Sequence, residues 1–354
     1  MKKLFATLLG IIAAIGAMTA QSSQLATLSH DGTIRTFYGA DALKNAHETA
    51  EDGDVITLSS GSFNPVTITK AITLRGVGVG KDAMPTIINA GLSIKVPANE
   101  NLQFTMEGIS TSSGFTCSDA SNPMFLKCRI EGSIRIYRTD NITIMHCMVK
   151  GKAGFDSSTT GTIINSIFNG IDSMYNFTCT NSVIYDLRVG FYKRITTTGT
   201  TTYSIKNSNF YNCILTQSFD TNNKEAPSSV IYFHYSNMAY NCVGRGPYSS
   251  TGSLINAFDK LPDHGSDVSV NDEKMKTIFA ASDNTFSGCE STLFQLSETG
   301  KQYKGNDGKE VGVYGGNMPF DLRTTTPQIT KCNVAAKSTV DGKLSVDIEV
   351  SEIE

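Results

Sequence analysis

The sequence contains no tryptophan, and only 18% of its residues are charged. Its net charge of −3 gives no electrostatic case for binding nucleic acid. No two cysteines stand in a CxxC pair, so neither zinc-ligand spacing nor a small disulfide-stapled scaffold is present. Beyond the first residues no apolar run approaches the length needed to cross a bilayer, about 20 residues. Isolated histidines such as His146, His234 and His264 have no spaced partner for a metal or a catalytic triad.

What remains is rich in Gly, Asn, Ser and Thr, with β-branched residues in short runs, a mix that favours many short strands joined by tight turns. Lys2 and Lys3 precede the apolar stretch 4–17, and small residues follow, so residues 1–20 read as a secretory leader cleaved after Ala20. No cysteine stands at the cleavage point, where Gln21, Ser22 and Ser23 follow, which argues against a lipid anchor. The expected location is the periplasm, the cell surface or the medium, with no membrane span once the leader is removed.

The stretch 54–78, DVITLSSGSFNPVTITKAITLRGVG, sets the architecture. It holds two strand-like runs, Val55–Leu58 and residues 66–74. Before it, Ala42, Leu43, Ala46 and Ala50 recur at helical spacing, with Asp41 as N-cap and Gly53 as the stop. A short amphipathic helix here would cover the open end of a stack of strands, whose bare edge would otherwise aggregate. A further strand is expected at Thr33–Tyr38.

The body repeats loosely. Cys128, Cys147, Ser166, Ser182, Ser208 and Ser236 are each followed two residues later by an apolar residue: Ile130, Val149, Phe168, Ile184, Phe210 and Met238. Strand side chains alternate, so both members of each pair face the same way. Coils with three short faces, about 4.8 Å apart, would then stack like residues into interior ladders. Asn165, Asn181 and Asn207 precede the small residue and read as a turn ladder, since Asn tolerates the left-handed backbone. The eight cysteines, Cys117, Cys128, Cys147, Cys179, Cys213, Cys242, Cys289 and Cys332, are expected as buried free thiols acting as small apolar groups. A Cys128–Cys147 bridge is the competing reading, disfavoured by the orientation of in-register parallel neighbours.

Three insertions interrupt the pattern, 217–229, 244–252 and 261–276. They are either functional loops on one side of a rigid stack or tolerated length variation. The expected organisation is a leader (1–20), a lead and cap helix (21–53), a right-handed parallel β-helix (54–326) and a C-terminal hairpin tail around Asp341 and Gly342 (327–354).

Two segments carry a resemblance. ALKNAHETAEDGDVITLSSGSF followed by VTITKAITLRGVG resembles the start of right-handed parallel β-helix proteins of the pectin-lyase-like fold, where a cap helix leads into GD-x-I-x-L-x-x-G and then I-T-L-x-G. VGVYGGNMPF, with PQIT and DGKL after it, is similar to the end of exported β-helix proteins of the Bacteroidetes type. The resemblance implies an all-β solenoid. It implies no single activity, because this fold hosts lyases, hydrolases, esterases and adhesins.

The hydrolase motifs of that fold (Asn-Thr-Asp, Asp-Asp, Gly-His-Gly, Arg-Ile-Lys) are missing, and Tyr137-Arg138-Thr139-Asp140-Asn141 is a superficial echo of the first. The esterase runs are missing too, and Gly154-Phe155-Asp156 does not replace them. A lyase would need a base, cations to hold a carbanion, and calcium as its only foreseeable cofactor. Arg135, Arg138 and Asp140, with Arg129, Lys127 and Lys150 nearby in coil order, form the candidate catalytic cluster. No matching acidic set is visible beside it, and a solvated strand face is the plain alternative. Binding needs less. Tyr185, Arg188, Tyr192, Lys193 and Arg194, in the run YDLRVGFYKR, are the candidate ligand-binding residues, with Tyr137, Tyr175, Tyr211, Tyr232 and Tyr235 as further sugar-facing rings or ordinary packing. Non-catalytic binding of a polysaccharide or other surface polymer is the leading expectation, with no cofactor. A lyase or glycoside hydrolase acting on acidic glycans, and an adhesion protein using its C-terminal strand, are the alternatives.

Overall fold

The computed structural model describes residues 24–79, 85–97, 102–187, 192–196, 199–216, 238–245, 258, 266–281, 294–323, 328–334 and 346–351. The leader, the insertion 217–229, most of the insertion 244–252, Arg188, Tyr232, Tyr235, His234, His264, Ser236 and Cys289 lie outside the described residues.

The described chain is mostly β and solenoid-like. Strands alternate between two long sheets. Eleven strands form the first, from Thr33–Tyr38 and Leu25–His30 through Val55–Leu58, Thr73–Arg75, Thr105–Glu107, Met124–Leu126, Ile142–Met145, Gly161–Ile164 and Phe177–Thr180 to Asn209–Tyr211 and Met238–Tyr240. From Val55–Leu58 onward its pairings are parallel. The second sheet has sixteen strands. Its two halves are joined through the long strands Met148–Phe155 and Ile167–Tyr175, each of which pairs with neighbours in both halves. The three short faces expected from the sequence are therefore one face and one bent, continuous sheet.

Parallel registration builds three inward columns. In the first sheet Ile56, Leu74, Met106, Phe125, Ile144, Ile163, Cys179, Phe210 and Ala239 lie one above another, all buried. In the second, Phe63, Ile88, Thr111, Ile130, Val149, Phe168, Ile184, Leu215 and Gly244 do the same. Ile68, Ile94, Cys117, Ile136 and Phe155 form the third. Gly244 lacks a side chain for a reason visible in the packing. A Cβ there would come within 2.6 Å of Phe258, which fills the column from outside the strand order and is fully buried.

This register corrects the repeat as read from the sequence. Ser208 and Phe210 do not continue the column of Ser182 and Ile184. Phe210 stands in the first sheet over Cys179, and the true successor of Asn181-Ser182-Val183 is Asn212-Cys213-Ile214, followed by Asn241-Cys242-Val243. The slip has a physical cause. An antiparallel arm, Tyr192–Thr196 against Gly199–Lys206, is inserted between these coils and destroys the even spacing.

The N-terminal end is closed as expected, with different details. The helix α1 runs Ala42–Thr49, and Ala42, Leu43, Ala46 and Ala50 join the interior core. Asp41 makes no capping bond; its carboxylate accepts from the Asn64 amide at 2.8 Å instead. Lys70 serves the other end, where its ammonium donates to the carbonyls of His47 (2.7 Å), Glu48 (3.1 Å) and Ala50 (2.5 Å), neutralising the helix's orphan acceptors. Thr33–Tyr38 and Leu25–His30 add an antiparallel pair on Val55–Leu58. The run 66–74 divides into Thr67–Ile68 and Thr73–Arg75, one strand for each sheet. At the other end Gln328–Val334 and Val346–Ser351 form a separate two-stranded antiparallel sheet.

Candidate functional site

Where the chain turns from the first sheet into the second, one residue per coil has a positive φ: Gly108, Lys127, His146, Asn165, Asn181, Asn212 and Asn241. The residue after it has an amide that points along the stack. Cys128 N–H donates to Cys147 Sγ (3.5 Å), Cys147 N–H to Ser166 Oγ (3.1 Å), Ser166 N–H to Ser182 Oγ (3.2 Å) and Cys242 N–H to Asp267 Oδ1 (2.8 Å). Each thiol or hydroxyl in turn donates to the carbonyl two residues earlier, as Ser166 Oγ does to Ile164 O at 2.8 Å. Small polar side chains recur here because a buried corner amide left unpaired would be costly. Cys117, Cys128, Cys147, Cys179, Cys213 and Cys242 are free and buried, as expected. Four of them serve as corner hydrogen-bonding groups and not merely as apolar filler. Burial pushes the Cys117 thiol up to about 12 and holds Cys147 and Cys242 well above the usual thiol range, so these sulfurs stay protonated and unreactive.

Asn165 and Asn181 do form a turn ladder; Asn207 belongs to a different corner, above Asn176. The ladder also does more than turn the chain. Residues 294–323 fold back along it as a strap, running toward the N-terminal coils. Asn212 exchanges hydrogen bonds with Asn306 (3.1 and 3.3 Å), Asn165 Nδ2 donates to the carbonyls of Val313 (2.8 Å) and Gly315 (2.9 Å), His146 Nδ1 meets Asp321 O (3.3 Å), and Lys127 Nζ donates to Arg323 O (2.6 Å). Beneath the strap lies a second apolar core. Met148, Ile167, Val183, Ile214 and Val243 face outward from the second sheet and are covered by Val311, Val313, Phe320, Leu322 and their neighbours. A half-open cavity of about 300 Å³ within the strap is lined by Gln295, Leu296, Lys301, Glu310 and Tyr314.

The candidate catalytic residues do not converge. Arg135 projects from Ile134–Tyr137 as an exposed side chain, in register with Thr116 and Gly154. Arg138 sits at a corner with φ 45° and grips Asp119 through Nε (2.5 Å) and Nη2 (2.9 Å), while its backbone N–H is held by the Asp156 carboxylate. Asp140 is exposed, on a backbone bridge to Ser121. An acidic set, unseen in the sequence, does accompany the cations: Asp119 with Arg138, Glu131 with Arg129 and Lys150, Asp172 with Lys152. The sequence missed it because, Arg129 with Glu131 excepted, the partners come from different coils. The guanidinium of Arg138 holds the Asp119 carboxyl below its usual range. Burial pushes Asp156 up, but hydrogen bonds from Thr159, the Arg138 backbone and Ser158 outweigh it and leave its carboxyl lowered. Both carboxyls are thus ionised at neutral pH, the opposite of what a general acid needs.

Of the candidate binding residues, Tyr185 is 41% exposed on the second sheet. Tyr192, Lys193 and Arg194 lie in the antiparallel arm, opposite Tyr203, Thr202 and Thr201. Tyr211 and Tyr240 stack face to face, centroids 5.1 Å apart and 6° from parallel, so their faces are turned on each other. The outward side of the first sheet was not singled out by sequence. It carries Thr73, Thr105, Met124, Thr143, Thr162 and Thr178 in one registered, half-exposed column. The next outward column holds Leu126, Met145, Ile164, Thr180, Tyr211 and Tyr240. Comparison with known protein families, curated proteins and solved structures finds no match.

Proposed function

We propose that this chain is an exported right-handed parallel β-helix of the pectin-lyase-like type that binds a polysaccharide along an outer face without cleaving it. The observation that carries this reading is the double column on the first sheet. Hydroxyls stand on five of the six coils from Thr73 to Thr178, with coils about 4.8 Å apart and Met124 in the remaining place, beside a registered row of Leu126, Met145 and Ile164. A sugar chain offers the complementary pair of surfaces, hydroxyls along its edges and C–H groups on its ring faces. The lane is rigid because strand pairing fixes every position in it, so little order has to be imposed on binding. The charged corner speaks against an acid-catalysed hydrolase, since Asp119 and Asp156 are held ionised by Arg138 and its surroundings and neither can donate a proton. The leader 1–20 is the basis for export.

A glycan array run beside lyase and hydrolase assays on acidic polysaccharides tests the reading. Binding without turnover is expected, and the double substitution Thr143→Lys with Thr162→Lys should weaken it at least tenfold. Turnover abolished by Arg138→Ala would overturn the non-catalytic reading. Binding unchanged in the double variant would remove the lane.

A further inference from the structure

His146 occupies a ladder position that the three following coils fill with Asn165, Asn181 and Asn212, all with positive φ. Its side chain is 7% exposed, closed over by the strap. Nδ1 lies 3.3 Å from the Asp321 carbonyl and the ring packs 6.3 Å from Phe320, both strap residues. An Nδ1–H that donates to this carbonyl leaves Nε2 as the acceptor nitrogen, and Nε2 is buried without a hydrogen bond. The neutral ring therefore fits this position, whereas a charged ring would bury a second N–H at Nε2, which makes no hydrogen bond in the closed structure.

We propose that His146 is an acid-operated latch: it holds the strap closed over the second apolar core when neutral and releases it on protonation. The charged groups facing the ring are Lys127 from its own corner ladder and Asp321 from the strap, with Arg323 tied to the Asp321 carboxylate at 3.1 Å. Burial depresses the basicity of the ring and Lys127 adds to this. The Asp321 carbonyl and carboxylate and the Met318 backbone oppose it, and burial prevails. The sign follows. A ring whose pKa is lowered in the closed state binds its proton better once released. Closure is complete above the ordinary value of 6.5. Below it the closed-to-open ratio falls by up to about tenfold per pH unit, until the ring titrates beneath the strap.

Release would expose Met148, Ile167, Val183 and Ile214 along one edge of the second sheet. The inward columns do not depend on the strap, so the coils stay folded while the edge opens. The device is thus a local opening controlled by the acidity of the surroundings.

Hydrogen exchange of the full chain, corrected for intrinsic rates, tests this between pH 7.5 and 5.0. The strap amides of Gly312 (bonded to Asn212 O) and Phe320 (bonded to Val313 O) are compared with the coil amides of Met148 and Ile167. The expected result is at least a tenfold loss of protection in the strap with the coils unchanged. His146→Asn restores the residue type of the neighbouring coils, keeps the left-handed backbone and should flatten the pH response. A strap indifferent to pH, a response that survives in His146→Asn, or strap and coils opening together would each overturn the proposal. So would a ring titration of the wild-type protein by NMR that places His146 at or above 6.5.

Discussion

The molecule has two apolar cores made from adjacent residues of the same strands, and they differ in what closes them. In the second sheet Val149, Phe168, Ile184 and Leu215 face inward, each locked between identical positions of the coils above and below. Met148, Ile167, Val183 and Ile214, one residue earlier, face outward and are buried in a second cluster that residues 294–323 share with Val79, Val270, Met275, Ile278 and Phe279. The first core is built by repetition, and each coil contributes the same contact. The second rests on one long-range event, a segment that must find the corner ladder and hydrogen-bond to it. Repetition distributes stability over many coils, whereas the strap's hold depends on a few bonds at Lys127, His146, Asn165 and Asn212.

Truncations at matched depth should separate the two cores. Phe168→Ala is expected to cost about 3–5 kcal/mol and to lower the stability of the whole coil stack, read as a fall in denaturant midpoint for every segment. Phe320→Ala removes a ring of the same size from the outer core and should cost at most a similar amount, about 3 kcal/mol, but with lost exchange protection confined to the strap. If both variants unfold in one transition, the two cores are a single cooperative unit and the contrast fails. Asn165→Ala strips two hydrogen bonds from the strap carbonyls and puts alanine at a positive φ. About 1–3 kcal/mol is expected, again seen first in strap exchange.

The smallest effects bear on the corner between the cores. Cys147→Ser places the side chain of Ser166 and Ser182 one coil earlier, where Oγ can make the bonds now made by Sγ. A change of about 1 kcal/mol or less is expected by thermal melting; a larger loss would mean that sulfur's bulk matters more than its bonds. At the opposite end His47 offers a parallel to His146. Its Nε2 accepts from the Thr69 amide at 3.1 Å, and burial, with Lys70, lowers its pKa. Stability from this contact is full above 6.5 and declines below it, so α1 should lose exchange protection in acid, and His47→Gln should remove that dependence.

Much of this architecture is visible in the sequence because it is local. The cap helix follows from Ala42, Leu43, Ala46 and Ala50, and the inward columns through Phe168 from small and apolar residues at alternate positions. The doubled apolar residues Met148-Val149, Ile167-Phe168, Val183-Ile184 and Ile214-Leu215 already signal burial on both sides of the second sheet, although nothing near them in the chain says what covers the outer side. The candidate sites were less visible. Arg138 finds Asp119, and Glu131 finds Lys150, across coils, and the threonine lane exists only once Thr73, Thr105, Thr143, Thr162 and Thr178 are in register.

The sequence by itself determined the strand class, the helix at the N-terminal end, and the demand for small hydrogen-bonding residues and left-handed asparagines at one corner. These follow from side-chain alternation and backbone preference, which act within a few residues. Only the tertiary structure decided which coil follows which across the inserted arm, what each surface cation pairs with, and that residues 294–323 return to cover the corner. Those are contacts between residues as far apart as Lys127 and Arg323. They are fixed by the register of the whole stack, which no local pattern encodes.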